Sequence, residues 1–274
     1  MSEAPRRTPY ELVFDRDAIE TRLFPTLLQE AERFGVRPEE SERLLLLPTV
    51  TQAAQELAPP EADASLLLGV RRLVVHGFQF WRYGKRLFFL DEALARQLVT
   101  QPPRLAPWDA TAPYPALYLQ LPAHLFWSSI EADVPPEPVD GFFVCWTERR
   151  DAWGRRYAHL DALMVLGLRR FRAGFSVVPL EAEVGGVIGL EWADEPSRAE
   201  GEDFASVLPG AEWHRSYSIV TTGEALKLVL RALWFADQFP DALVWEEPAA
   251  QRGTSRPAAV APSRLPFVRL RALP

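Results

Sequence analysis

Four apolar stretches determine the fold of this chain: LLLGVRRLVVHGFQFW (66–81), RLFFLDEALARQL (86–98), PYPALYLQLP (113–122) and VDGFFVCW (139–146). The first has apolar residues at helical spacing, and Asp63 and Gly84 are placed to cap and to end a helix over residues 64–83. In the third, leucine alternates with tyrosine and glutamine, as in a half-buried strand. The order of the four stretches therefore predicts a protein of mixed helix and sheet.

The segments on either side complete a prediction of one α+β domain over residues 1–248. Residues 1–60 read as a helical N-terminal part, in which Pro25 is expected either to kink a helix or to begin it, and Pro48 is placed to divide another. Thr221 and Glu224 have capping-box spacing before a long helix over 222–238. We expect an antiparallel sheet packed against the N-terminal helices and this long helix. Residues 249–274 read as a flexible linker and a closing edge strand.

Composition excludes several classes of protein. Hydrophobic residues make up 48% of the 274 residues, enough for a sizeable core. The net charge of −7 does not favour nucleic acid as a partner of the whole molecule, although a local basic patch would. Cys145 is the only cysteine, so no disulfide forms within the chain. We expect a cytoplasmic protein without a signal peptide or a membrane-spanning segment.

No residue pattern argues for an enzyme, a metal site or a cofactor. The histidines, which are His76, His124, His159 and His214, are far apart in the sequence and lack a second ligand at metal spacing. Cys145 reads as a buried free thiol rather than a nucleophile. Ser128 and Ser129 have no glycines around them to form a nucleophile elbow. Glu181 and Glu183 share a face of a predicted strand, either as paired carboxylates or, the simpler interpretation, as a solvated edge.

Two clusters of arginine and aromatic residues are the better candidates for function. The first contains Arg71, Arg72, Arg82, Lys85 and Arg86 with Phe78, Phe80, Trp81 and Tyr83. The second surrounds Trp153 with Arg149, Arg150, Arg155 and Arg156, and Arg169, Arg170 and Arg172 follow across a predicted hairpin. Such mixtures bind proteins or hold phosphates and stack bases; alternatively, the aromatics are core and the arginines are solvated turn residues. The candidate partner-binding residues are Trp81, Arg82, Tyr83, Arg86, Trp153, Arg155 and Arg156.

Read in order, the four stretches resemble a type V-A anti-CRISPR family, the second of its series, and its phage and plasmid homologues. The matching features are the His-Gly step and Trp of LVVHGFQFW, the Leu-Asp-Glu of FFLDEAL, the PALYLQLP segment and the Gly-aromatic strand DGFFVCW. The pattern continues in LDALMVL (160–166), TTGEALKLVLRALW (221–234) and PSRLPFVRL (262–270). The resemblance spans residues 65–270 and consists mostly of core residues, which specify a fold better than an activity.

The resemblance implies a non-enzymatic inhibitor that recognises the nascent or N-terminal polypeptide of its target nuclease. Its partner would be a protein or a nascent peptide. The founding member has a basic extension after the closing strand that this sequence lacks, so RNA or the ribosome is the lesser of the expected partners. The alternative function is that of a nucleic-acid-binding accessory protein of a phage, plasmid or bacterial chromosome, which would use the same arginine clusters.

Overall fold

The computed structural model describes residues 4–15, 19–105, 108, 113–128, 135–150, 152–154, 156–167, 176–184, 191–194, 217–219, 221–248 and 261–273. Its helices are α1 (Pro9–Val13), α2 (Ile19–Arg33), α3 (Ser41–Leu44), α4 (Pro48–Leu57), α5 (Ala64–Arg82), α6 (Glu92–Thr100), α7 (Glu191–Asp194) and α8 (Thr222–Gln238). Its strands are β1 (Leu87–Leu90), β2 (Ala116–Gln120), β3 (Phe126–Ser128), β4 (Glu137–Arg150), β5 (Arg156–Leu166), β6 (Ser176–Val184), β7 (Tyr217–Ser218), β8 (Leu243–Glu246) and β9 (Phe267–Leu270).

The helices follow the sequence signals closely. Asp63 accepts a hydrogen bond from the Leu66 amide at 2.8 Å and starts α5. Thr221 accepts one from the Glu224 amide at the start of α8. Pro48 is the first residue of α4, so the predicted second helix is divided where proline cannot continue it. Pro25 lies within α2, so the alternative that this helix begins at Pro25 is wrong.

The sheet is mixed, and the expectation of an antiparallel sheet is only partly right. Among the described residues the main strand order is β6-β5-β4-β2-β1-β9-β8, and β3 pairs with the first residues of β4 and with β7. The pairs β2–β4, β4–β5, β5–β6 and β8–β9 are antiparallel, but β1 pairs in parallel with both β2 and β9. The reason is that α6 connects β1 to β2, and a helical crossover brings the chain back in the same direction.

Helices cover both faces of the sheet. On one face, α2, α4 and α5 pack with β4 residues such as Phe143 and with Leu163 of β5. On the other face, α6 and α8 pack with Phe142 and Val144 of β4 and with Leu160. Neighbouring residues of β4 therefore belong to different cores, which is the alternation that strand geometry imposes. The result is a three-layer arrangement of helix, sheet and helix.

The closing strand β9 lies inside the sheet, between β1 and β8, rather than at the edge expected from its alternating sequence. All four of its residues are buried. The polar residue that suggested an edge, Arg269, lies over the rings of Phe89 and Phe267 and pairs with Glu246 of β8 at 2.6 Å. Its charge is thus satisfied within the sheet layer. The linker predicted before β9 falls mostly on residues 249–260, outside the described residues.

The two ends of the described chain are joined to each other. The buried Glu11 carboxylate accepts a hydrogen bond from the Ser263 hydroxyl at 2.8 Å and another from the Arg264 amide at 2.7 Å. Arg6 pairs with the buried Asp140 of β4 at 3.0 Å. The first residues therefore hold the approach to β9 in place. Within the described part of the chain, no helix combines the length and apolarity needed to cross a membrane.

Candidate partner-binding surface

The strands β4 and β5 extend beyond their neighbours as a projecting hairpin, which we define as residues 147–157. Among the described residues, the last β2 residue to pair with β4, Ala116, lies opposite Cys145, and the pairing of β6 with β5 extends as far as Ala158 opposite Val184. The pairing of β4 with β5 continues to Arg150 opposite Arg156. Arg150 therefore lies about 17 Å beyond Cys145 along the strand. Such a two-stranded extension presents its residues away from the body of the sheet.

The tip of the projecting hairpin exposes an aromatic side chain. Trp153 is 79% exposed, more than any other described large hydrophobic residue. Gly154 follows it with φ of +78°, a left-handed conformation that turns the chain toward β5. Arg149 and Arg150 are exposed beside the tip. Arg155 lies outside the described residues, and Arg156 is described only through its backbone, as the first residue of β5.

The first arginine cluster is divided between a core and a surface. Trp81 is half-buried, because its ring packs against Phe24 at 5.6 Å and Phe78 at 6.1 Å between centroids. Tyr83 donates a hydrogen bond to the Glu39 carboxylate at 3.1 Å, and burial followed by this carboxylate raises the pKa of Tyr83. Arg82 is exposed. Trp81 and Tyr83 therefore stabilise the helical layer, and Arg82 remains on the surface.

Arg86 has a different environment, at the start of β1. Its guanidinium carbon lies 4.9 Å from the ring centre of Tyr114 and 5.7 Å from that of Trp245. This contact links the N-terminal half of the sheet to the edge strand β8. Proximity to Tyr114 and Trp245 could not be predicted, because they are distant in sequence and Trp245 belongs to another strand.

The described parts of the two arginine clusters do not form one continuous patch, and Arg169, Arg170 and Arg172 of the second cluster lie outside the described residues. The ring of Phe80, next to Trp81, packs on Phe143 of β4 at 5.7 Å. Arg150 is seven residues farther along β4, or about 23 Å at the rise of a β-strand. The projecting hairpin is therefore a separate surface, and its exposed Trp153 makes it the stronger candidate for a contact with another molecule.

A buried chain of polar side chains joins α5 to the sheet, and sequence reasoning missed it. Cys145 and Asp161 lie opposite each other on β4 and β5, and His76 of α5 lies between them. The Cys145 Sγ is 3.5 Å from His76 Nδ1, and His76 Nε2 is 3.4 Å from an Asp161 carboxylate oxygen. The three residues are far apart in the sequence, so no motif spacing could reveal them.

These are the residue types of a nucleophilic triad, but the surroundings make the thiol unreactive. Cys145 is 6% exposed, as the sequence prediction of a buried thiol requires. Burial, and to a lesser degree the Asp161 charge, raises the pKa of the Cys145 thiol well above its usual range. The nucleophile in such chemistry is the exposed thiolate. We therefore assign His76, Cys145 and Asp161 to the stability of the contact between α5 and the sheet.

Asp161 gives this contact a dependence on pH. Burial alone would raise its pKa, but the charge and hydrogen bond of His76, helped by Ser41 and His159, lower the pKa from 3.8 to about 2. Because the folded pKa lies below the unfolded one, the carboxylate stabilises the fold above pH 4. This contribution, about 2 kcal/mol, is lost as the pH falls from about 4 to about 2.

The substitution Asp161→Asn is thus expected to lower the free energy of unfolding by about 2 kcal/mol at pH 7 and to have little effect at the acid limit. Urea unfolding from pH 2 to pH 7 measures the difference. Asp241→Asn, at an exposed position, serves as the control and should leave the pH profile unchanged. Parallel profiles for Asp161→Asn and the unsubstituted protein would contradict the assignment.

The other polar groups considered in the sequence, Glu181, Glu183 and His159, lie on the neighbouring strands β5 and β6. Glu181 and Glu183 are exposed on β6, opposite Asp161 and His159. Burial, followed by the Arg149 charge, lowers the pKa of His159. In the portion of the chain that is described, no group of three or more His, Cys, Asp or Glu residues is arranged to hold a metal ion.

Comparisons with known proteins give a similarity in structure. No protein family matches the sequence, and no curated protein matches it. Among solved structures, the crystal structure of AcrVA2 is similar to this chain with a TM-score of 0.44. The two sequences are 15% identical, over 95% of this chain and 82% of that chain. At this level of similarity, the comparison does not show a function for this chain.

Proposed function

We propose that this chain is a non-enzymatic binding protein of the anti-CRISPR kind, which captures the N-terminal polypeptide of its target nuclease through the projecting hairpin. The observation that carries the proposal is the exposure of Trp153 at the tip, 79%, beside the exposed Arg149 and Arg150. The motifs between residues 65 and 270 that resemble the type V-A anti-CRISPR family suggest the class of partner.

The hairpin suits this role for physical reasons. A tryptophan exposed to this extent keeps a large apolar surface in water, and a partner that covers it gains the hydrophobic free energy of its burial. Tryptophan and arginine are the residues most enriched among the energetic centres of protein interfaces. The hydrogen-bonded pairing of β4 with β5 up to Arg150 holds the tip, so that less conformational freedom is lost on binding.

The substitution Trp153→Ala is expected to weaken capture of the partner about 30-fold or more, because truncating a central anchor typically removes 2 kcal/mol or more of binding free energy. Biolayer interferometry with an immobilised N-terminal fragment of a type V-A CRISPR nuclease measures the dissociation constant. Phe34→Ala is the matched control, since Phe34 is an aromatic residue 53% exposed at the end of α2. Equal affinities for Trp153→Ala and the unsubstituted protein would refute the role of the hairpin.

Trp81 provides a second comparison. Since Trp81 packs on Phe24 and Phe78, Trp81→Ala should lower stability, and its effect on capture should disappear when only folded protein is counted. Capture that survives loss of both Trp81 and Trp153 would reject the proposed surface.

Salt dependence separates a polypeptide partner from nucleic acid. Binding through phosphates weakens steeply as counterions are added, whereas capture through an aromatic anchor changes little. In cells, co-expression of the chain with a type V-A nuclease should lower the amount of nuclease, and Trp153→Ala should restore it. An unchanged amount of nuclease would restrict the chain to a binding role without inhibition.

A further inference from the structure

The guanidinium of Arg86 contacts aromatic rings and no described carboxylate. Its guanidinium lies over the rings of Tyr114 and Trp245, yet no described carboxylate pairs with it. Its Nε is buried and has no hydrogen-bond partner. The neighbouring arginines differ, because Arg269 and Arg271 both pair with Glu246, at 2.6 and 2.8 Å. Because the buried Nε is out of reach of a ligand, the two terminal nitrogens of Arg86 are the donors that another group would use.

The strand beside Arg86 is an edge of the sheet. Among the described strands, β8 pairs only with β9. In an antiparallel pair, successive residues point their backbone N–H and C=O alternately toward and away from the partner strand. The hydrogen bond from the Arg271 amide to the Ala242 carbonyl shows that Ala242 points its backbone groups toward β9. It follows that the backbone N–H and C=O of Trp245 point away from β9, and the Trp245 side chain is 48% exposed. As far as the described residues show, a backbone edge without a further strand, an exposed aromatic ring and a cation thus occur together.

We propose that the β8 edge receives an extended peptide as an added strand, with a carboxylate side chain of that peptide bound by Arg86 and an apolar side chain on Trp245. Strand addition supplies backbone hydrogen bonds, and side-chain pockets supply the selectivity. The planar guanidinium is suited to bidentate binding of a carboxylate. The inference rests on the proposed function in taking the partner to be a polypeptide.

Charge favours an acidic peptide over a nucleic-acid backbone. The whole chain carries −7, which opposes the approach of a polyanion. Arg269 and Arg271 are already engaged by Glu246, so one cation without an ion-pair partner is available at this edge among the described residues. A single carboxylate matches that cation, whereas tight phosphate-backbone binding needs several.

The β8 edge and the projecting hairpin lie toward the same end of the sheet. Ala116 at the start of β2 is opposite Cys145, and Leu87 at the start of β1 is opposite Tyr118. Arg150 of the hairpin lies about 23 Å beyond the start of β1, and β8 lies four strands from β4, about 19 Å across. One extended segment of about ten residues spans this separation.

Phage display of random twelve-residue peptides tests the inference. The unsubstituted protein is expected to select peptides with Asp or Glu at a fixed position near an apolar residue. Individual selected peptides should bind Arg86→Gln at least ~10-fold more weakly. Changing the peptide carboxylate to its amide should cause the same loss with the unsubstituted protein and no further loss with Arg86→Gln.

Two more variants keep the test independent of folding. Arg86→Lys retains the charge but not the planar fork, so it should bind with intermediate affinity. Trp245→Ala should also weaken binding of the selected peptides, and Phe34→Ala should not. Thermal unfolding confirms that each variant is folded. Selected peptides without an acidic position, or equal binding by Arg86→Gln, would overturn the inference. So would failure to select any peptide, or binding of a single-stranded oligothymidylate that Arg86→Gln abolishes.

Capture of the nuclease fragment is measured on the same proteins. If the unsubstituted protein selects acidic peptides but captures no nuclease fragment, the proposed target fails and the peptide site stands. If capture depends on Trp153 while no acidic peptide is selected, the inference about Arg86 fails alone.

Discussion

Replacement of Gly141 by alanine is expected to destabilise the protein by about 3 kcal/mol or more, because the sheet leaves no room for a side chain there. An added Cβ would overlap the backbone carbonyl oxygen of Leu119 on β2 and lie 3.0 Å from the Tyr118 hydroxyl oxygen. The obstacle is backbone, which cannot rotate away. Tyr118 also donates a 2.6 Å hydrogen bond to Asp140, so the displacement would disturb a buried polar network.

Equilibrium unfolding in urea measures this effect, and another glycine isolates its cause. Gly35 has φ of +61° and open space around its Cα, so Gly35→Ala reports only the strain of a left-handed alanine, about 1 kcal/mol. Gly141 has no such backbone conformation, and its loss of stability would come from the steric overlap. A similar small change for both variants would mean that β2 and β4 can separate locally.

Replacement of Arg231 by alanine is expected to have an effect of comparable size. Arg231 is fully buried on α8, and it donates hydrogen bonds of 2.9 Å to the carbonyls of Leu98 and Ala193. The Leu98 carbonyl lies in the last turn of α6, where the helical partner would be the amide of residue 102. That residue is Pro102, which has no N–H. Arg231 therefore supplies the donor that the helix lacks.

Arg231→Ala combines a cavity with two unsatisfied carbonyl groups, and we expect a loss of about 3 kcal/mol or more. Arg231→Met fills most of the volume without the donors and should be less damaging. Arg43→Ala, which removes an exposed pair with Glu40, should change stability by about 0.5 kcal/mol or less. The ranking is measured by urea unfolding. Equal losses for Arg231→Ala and Arg231→Met would assign the effect to hydrogen bonding alone.

The helices of this chain could be predicted from local signals, whereas the sheet could not. The signals that start the helices are local, because each acts on residues within four positions of itself. Examples are Asp63, Thr221 and Pro48. The parallel pairing of β1 with β9 depends instead on residues 87–90 and 267–270, which share no local pattern. Arg269 made the sequence of β9 alternate like that of an edge strand. Its ion pair could not be predicted, because its partner, Glu246, lies on another strand.

The candidate surfaces divide in the same way. Trp153 lies in a polar turn between two strands, and local composition was enough to single it out. The ring of Trp81 could not be distinguished from it in sequence, because its burial comes from Phe24 of α2. The His76–Cys145–Asp161 chain and the Arg86 contacts with Tyr114 and Trp245 arise only when distant strands and helices meet.

The interior position of β9 also has a kinetic consequence. Residues 267–270 separate β1 from β8, so during synthesis β1 keeps one open edge and β8 has no site in the sheet until these residues leave the ribosome. Contacts between such distant positions form slowly, since a long loop must close first. Until then, the residues of β1 that are buried in the folded protein remain accessible to other chains and to chaperones, which favours aggregation. Completion of the sheet is therefore expected to wait for β9, with a rate set by insertion of this strand.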